Sequence, residues 1–306
     1  MSNHPKITAS SWLMIAILGL TWGGTFLVIE IALEGITPFW LAAGRIAFAA
    51  ALMTCIWGVL GFRLFKAAPS LGAIFAILNI GALSSAVPFI LLAWGQQFVT
   101  AGFAGVSMAA VALLVLPLSH FLIPGDQLTW RKSVGFILGF VGVCVLIGGQ
   151  AFDTTGAGLE TAGRIACLGA AACYAVSSVT MRRLPEVDTI GLSTILLLIG
   201  AIIVLPAAYI AEGPPPMPNA KTLWVLAFLG LVPTAAANLL RVQVVRTAGP
   251  VFMSLVNYQV PVWSVLLGAL VLSEPLPSSL LLAMTLILSG VGLSQYGAIT
   301  QLFRRR

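Results

Sequence analysis

The segment 270–282, LVLSEPLPSSLLL, sets one glutamate and two prolines between long apolar runs, with no Lys or Arg nearby. The segment 122–138, LIPGDQLTWRKSVGFIL, has a similar shape: an acid, a leucine and a turn interrupt an apolar run. It differs in carrying Arg131 and Lys132. One pattern thus occurs twice, once with cations and once without, and the difference orients the chain.

The two segments sit in 306 residues that are 59% hydrophobic and 8% charged, with mean hydropathy +1.06. Soluble domains carry about 25% charged residues. A bilayer core of about 30 Å takes about 20 apolar residues per helical crossing, and such runs fill the chain almost end to end. The fold class is therefore all-α, a polytopic membrane protein; a β-barrel would show short alternating segments instead. Charges, prolines and glycines divide the chain into ten spans near 11–31, 38–60, 70–94, 100–123, 131–149, 161–182, 188–211, 221–242, 250–272 and 277–300. The first is too long for the apolar part of a signal peptide and lacks a clean cleavage site, so it reads as a retained helix. The longest polar stretches are 150–160 and 212–221.

The net charge of +6 does not indicate nucleic acid, because the cations are scattered between apolar runs. Only Arg304, Arg305 and Arg306 form a block, and a basic tail after a last span is an orientation signal. With the N-terminus inside, inner segments hold twelve of the fifteen Lys and Arg, and outer segments only Arg164 and Lys221. Arg45 falls within the second span. Both termini are thus expected in the cytoplasm. Cys55, Cys144, Cys167 and Cys173 fall inside apolar runs without a CxxC pair and read as small buried residues. Two histidines, one of them His4, leave no basis for a histidine metal site or triad.

The halves align. Phe98, Thr100, Ala101, Gly102 and Ser107 fall on Val245, Thr247, Ala248, Gly249 and Ser254. After a slip of one residue, Asp126 falls on Glu274, Leu128 on Leu276 and Gly142 on Gly290. Residues 1–150 and 151–306 thus read as two five-helix repeats. Five is odd, so the second copy enters the membrane from the opposite side. The Asp126 turn is then cytoplasmic with cations, and the Glu274 turn external without them. Inverted repeats of this kind mark secondary transporters with a solute site near the midplane.

The sequence resembles the drug/metabolite transporter superfamily in its ten-helix EamA-type branch. The resemblance is carried by 18–23 (LGLTWG), by Pro38 to Arg45-Ile46-Ala47, and by the Thr-Ala-Gly starts of the fourth and ninth helices with Pro117 and Pro261. The acid–Leu turns and the small residues Gly135, Gly139, Gly142 and 289–292 (SGVG) complete it. Within the branch, the chain is similar to bacterial amino-acid exporters, including the YddG-like aromatic amino-acid exporters. The resemblance implies an inner-membrane exporter of small metabolites. The sixth helix departs from the pattern: 169–174 (GAAACY) lacks the tryptophan found at Trp22.

Most tryptophans fall at expected water interfaces, where aromatic belts form. Trp22 and Trp263 fall mid-span and either pack between helices or line a cavity. In the ninth helix Ser254, Asn257, Pro261, Ser264 and Gly268 share one face, flanked by Tyr258 and Gln259. That face either bonds neighbouring helices or binds the ends of a zwitterion. Thr234 and Asn238 near Pro233, Asn79 ahead of Pro88, and Tyr174 with Ser178 extend this set into a candidate ring around a cavity. Pro88, Pro117, Pro233 and Pro261 are candidate hinges. Arg45 and Glu30 are paired as a structural or gating ion pair, with direct carboxylate binding by Arg45 as the alternative. His120 is a candidate proton sensor or a structural hydrogen-bonding group.

These features predict alternating access around a central cavity, aided by the thin face of Ala101, Ala104, Gly105, Ala109 and Ala112. No carboxylate lies deep in a span, which favours facilitated export over proton antiport. The expected substrate is a small neutral metabolite, an amino acid foremost, with no cofactor and no metal, handled by a monomer in the lipid bilayer. An exporter of another metabolite or drug is the alternative. A membrane-embedded enzyme lacks any HExxH, GxSxG or phosphate-loop pattern, and a channel lacks a visible filter.

Overall fold

The computed structural model describes residues 7–65, 70–123, 128–148, 159–248 and 250–304. The Asp126 turn, Gly249, Lys66, Arg305 and Arg306 lie outside them. Among the described residues the chain is nearly all helical. We number its helical spans α1 (Ala9–Leu33), α2 (Pro38–Val59), α3 (Leu71–Gly95), α4 (Ala101–Leu122), α5 (Trp130–Gly148), α6 (Glu160–Met181), α7 (Thr189–Glu212), α8 (220–248), α9 (250–271) and α10 (Ser278–Arg304). Eight are long and apolar enough to cross a bilayer, and Val256–Val271 of α9 is a shorter apolar helix. The chain is a multi-pass membrane protein.

Local chemistry fixes the helix starts. Thr8 and Ser11 form a capping box at α1. Ser70, Thr100, Asp188 and Asn219 each accept a backbone N–H in the first turn of α3, α4, α7 and α8. Pro38 opens α2, where its missing N–H costs nothing. Gly213, at φ 79°, ends α7. Trp40 and Trp57, at the two ends of α2, give their indole N–H to the loop carbonyls of Gly213 and Arg63.

One burial and one extent differ from the sequence reading. Arg164, read within the span 161–182 and counted with the outer segments, is 2% exposed and bonds Glu160 one turn away. α8 continues to Ala248 rather than ending near 242, so Arg246 is a helical rather than a loop residue.

Small residues set the packing. α5 pairs chiefly with α10, α2 with α7, α1 with α8 and α9, and α6 with α3 and α4. Exchanging each helix for the one five places along leaves this pattern unchanged. At the α5–α10 crossing, a Cβ on Gly135 would stand 2.5 Å from the Gly290 carbonyl oxygen, and one on Gly290 2.5 Å from that of Gly135. Gly95 and Gly163 oppose each other in the same way between α3 and α6. Without water to drive association, such backbone-to-backbone approach supplies the contact. Gly105 of α4 lies against Ser264 of α9, so part of the thin face expected on α4 meets the C-terminal half of the α9 polar face.

Candidate functional site

Two helices leave α geometry in mid-span. α3 passes through a π-helical turn at Ala82–Ala86, and α8 through another at Gly230–Ala236. Such turns redirect backbone hydrogen bonds and leave carbonyls to be satisfied by other donors. Pro233 has no N–H for the carbonyl of Leu229, and the Thr234 hydroxyl donates to that oxygen instead, at 2.8 Å. The N–H of Ala237 reaches back five residues to Val232, which leaves the Pro233 carbonyl without its helical donor. The indole of Trp22, on α1, fills that gap at 3.0 Å.

The same turn holds Arg45. Its Nε donates to the Thr234 hydroxyl at 2.8 Å, and its guanidinium lies 4.1 Å from the centroid of the Phe89 ring on α3. Arg45 is 7% exposed. Tyr174, on α6, packs on the cluster formed by Ala42, Ile46 and Phe89, beside the guanidinium. Trp22, Arg45, Phe89, Tyr174 and Thr234 thus come together from five helices, three in the first half of the chain and two in the second.

The expected ion pair between Glu30 and Arg45 is not formed. Glu30 lies instead beside Glu274 and the amide of Ala101, and its Oε2 is buried without a hydrogen-bond partner. Glu274 accepts the N–H groups of Ala101 and Gly102 at 2.6 and 3.0 Å. The first turn of α4 presents N–H groups without intrahelical acceptors and a positive dipole end, and these hold Glu274 there.

The other candidates fall into three groups. Trp263 packs over Gly23 of α1, and Ser254 bonds Gln295 of α10 at 3.1 Å. Asn79, Ser178 and Asn257 are exposed, while Asn238 and Tyr258 are half-buried, the Tyr258 hydroxyl without a partner. Nδ1 of His120 accepts the Leu128 N–H at 3.4 Å, across the turn after α4. The helix interruptions do not fall at Pro117 or Pro261, where α4 and α9 run through. They fall at Ala109 and at 254–255, nearly equivalent places by the alignment above. Pro88 is the second residue after the π turn of α3, and Pro233 lies within that of α8.

The two ends of the bundle differ. At the end away from the chain termini, Gln96 binds the Phe26 carbonyl at 2.9 Å and Glu274 holds α4. There too Glu212 of α7 accepts the N–H groups of Phe39 and Trp40 at 3.1 and 3.2 Å. The exposed residues Asn79, Ser178 and Asn257 all lie in the halves of their helices nearer the termini.

Sequence reasoning missed Phe89 and the turn geometry that joins Thr234 to Arg45. Pro88 and Pro233 were the available signals, since each removes a helical donor in mid-span.

The comparisons agree with this architecture. The EamA-like transporter family matches residues 9–148 and again 161–295. The transporter YoaV of Bacillus subtilis (strain 168) is 22% identical over 290 residues, 92% of this chain and 96% of YoaV. The inner membrane transporter YedA of Escherichia coli (strain K12) is 27% identical over 282 residues, 92% of this chain and 89% of YedA. A protein of Streptantibioticus cattleyicolor described as a "probable terminal-alkyne amino-acid exporter" is 29% identical over 155 residues, 50% of each chain. A crystal structure superposes with a TM-score of 0.66 at 21% identity, covering 95% of this chain and 98% of its own. The helical spans, the crossings and the double match lead to one conclusion: this chain belongs to the EamA-like transporter family.

Proposed function

We propose that the chain is a secondary transporter of the bacterial inner membrane that exports small neutral metabolites, amino acids foremost. It works by alternating access around a central cavity. Residues 1–150 and 151–306 are two inverted five-helix repeats, and both termini are cytoplasmic. The observation that carries this reading is the mid-span cluster of Trp22, Arg45, Phe89, Tyr174 and Thr234. It joins both halves at a π-helical turn, where backbone groups are held by side chains rather than by the helix. Such a junction can rearrange without breaking a regular helix. The aromatic lining suits a small, partly apolar solute. The partial likeness to the Streptantibioticus cattleyicolor exporter supports amino acids as the class.

The polar ties at the end away from the termini, with exposed Asn79, Ser178 and Asn257 toward the other end, support a conformer open to the cytoplasm. Rocking of α4 and α9 about Ala109 and 254–255 opens the opposite side. Export runs down the solute gradient through a monomer. Uptake of labelled amino acids into liposomes holding the purified chain tests the proposal. Saturable flux without nucleotide supports it; an ohmic current, or product formed without flux, refutes it.

A further inference from the structure

Arg45 is a buried cation without a buried anion. Its guanidinium is 7% exposed, and its contacts are neutral: the Thr234 hydroxyl and the face of Phe89. No carboxylate among the described residues lies within 4.0 Å of it. The nearest candidate acids on neighbouring helices, Glu30 and Glu212, are committed elsewhere. Glu30 faces Glu274 and the start of α4, and Glu212 takes the N–H groups of Phe39 and Trp40 at the start of α2. Leaving a charge in a low-dielectric site without a counter-charge is costly.

The geometry says which anion. The guanidinium carries five N–H donors in a planar fork. Nε is spent on Thr234, whose own hydrogen is fixed on the Leu229 carbonyl, and the Phe89 ring sets the plane. The two Nη groups have no partner among the described residues. Their paired N–H bonds fit the two oxygens of one carboxylate. Phe89 and Tyr174 stand beside the guanidinium and offer an apolar surface next to the fork.

We infer that Arg45 binds the carboxylate of the transported solute, so that the solute is recognised by its acid group and an apolar body, and not by its amine. This rests on the exporter reading above and narrows it.

A matched set of probes tests the inference on the purified full chain: L-phenylalanine, 3-phenylpropionate, L-phenylalaninamide and phenethylamine. All four share the ring; the first two carry a carboxylate and the last two do not. Equilibrium binding is expected for both acids, with the amide and the amine at least about tenfold weaker. Arg45→Gln is expected to erase the preference, and Arg45→Lys to retain part of it, since the charge stays and the fork is lost. Thr234→Val, which keeps the charge but frees Nε, is expected to weaken the acids several-fold and leave the amide unchanged. It serves if Arg45→Gln fails to fold. Equal binding of all four, no binding by either acid, or a preference that survives Arg45→Gln and Thr234→Val overturns the inference. Acid binding that depends on Arg45 without flux in liposomes would leave the inference standing and sink the exporter reading.

Discussion

The indole N–H of Trp22 donates to the carbonyl oxygen of Pro233 at 3.0 Å, 211 residues away in sequence. The bond exists because α8 switches hydrogen-bond register at that point. It couples the first helix of one half to the non-α turn of the other.

Replacing Trp22 with Phe keeps an aromatic ring and removes this donor, leaving the Pro233 carbonyl unpaired. A loss of about 1–2 kcal/mol is expected, the cost of an unsatisfied buried acceptor. Denaturant or thermal unfolding in detergent measures it. Amino-acid flux in liposomes is expected to fall as well; unchanged flux and unchanged stability would remove Trp22 from the site.

Glu274 caps the first turn of α4 through two N–H groups. Glu274→Ala is expected to destabilise the protein by about 1–2 kcal/mol, the range for a lost helix cap. Glu274→Gln should cost less, because an amide oxygen still accepts. Equal melting temperatures for the parent and the alanine variant would show that the cap carries no energy.

A side chain on Gly105 would overlap Ser264: a Cβ there stands 1.9 Å from the serine Oγ and 2.2 Å from its Cβ. Gly105→Ala is therefore expected to cost about 1–3 kcal/mol by overpacking. Combining it with Ser264→Gly should restore part of the loss, because the clashing atoms are gone. Additive destabilisation in the double variant would mean that the two residues do not meet.

The orientation drawn from Lys and Arg places the turn after α9 outside the cell. A reporter inserted after Leu276 is expected to be active on the periplasmic side only. A cytoplasmic signal at that position overturns the inverted arrangement of the two halves.

Much of the architecture was legible in the sequence, because lipid imposes length and polarity on every crossing. The span read as 161–182 is the helix Glu160–Met181, and 38–60 is Pro38–Val59. α8 outran its expected end because Gln243 and Arg246 look like loop residues, although a helix that leaves the apolar layer can keep its hydrogen bonds in water. The π-helical turns left no periodic trace, since one extra residue per turn merely shifts the apolar pattern. The partner of Arg45 was misjudged for a related reason. Sequence places Glu30 and Arg45 at similar depths but does not fix the rotation of α1 about its axis, which turns Glu30 toward Glu274 and the start of α4.

The crossing of Gly135 with Gly290 bears on how the molecule is made. α5 leaves the ribosome midway through synthesis, and its flat glycine surface then faces acyl chains until α10 arrives. The first half must therefore persist as an unfinished assembly while all of the second half is inserted. The last helix acts as the closing piece, and a nascent chain halted before Ser278 should be recognised by membrane quality control as incomplete.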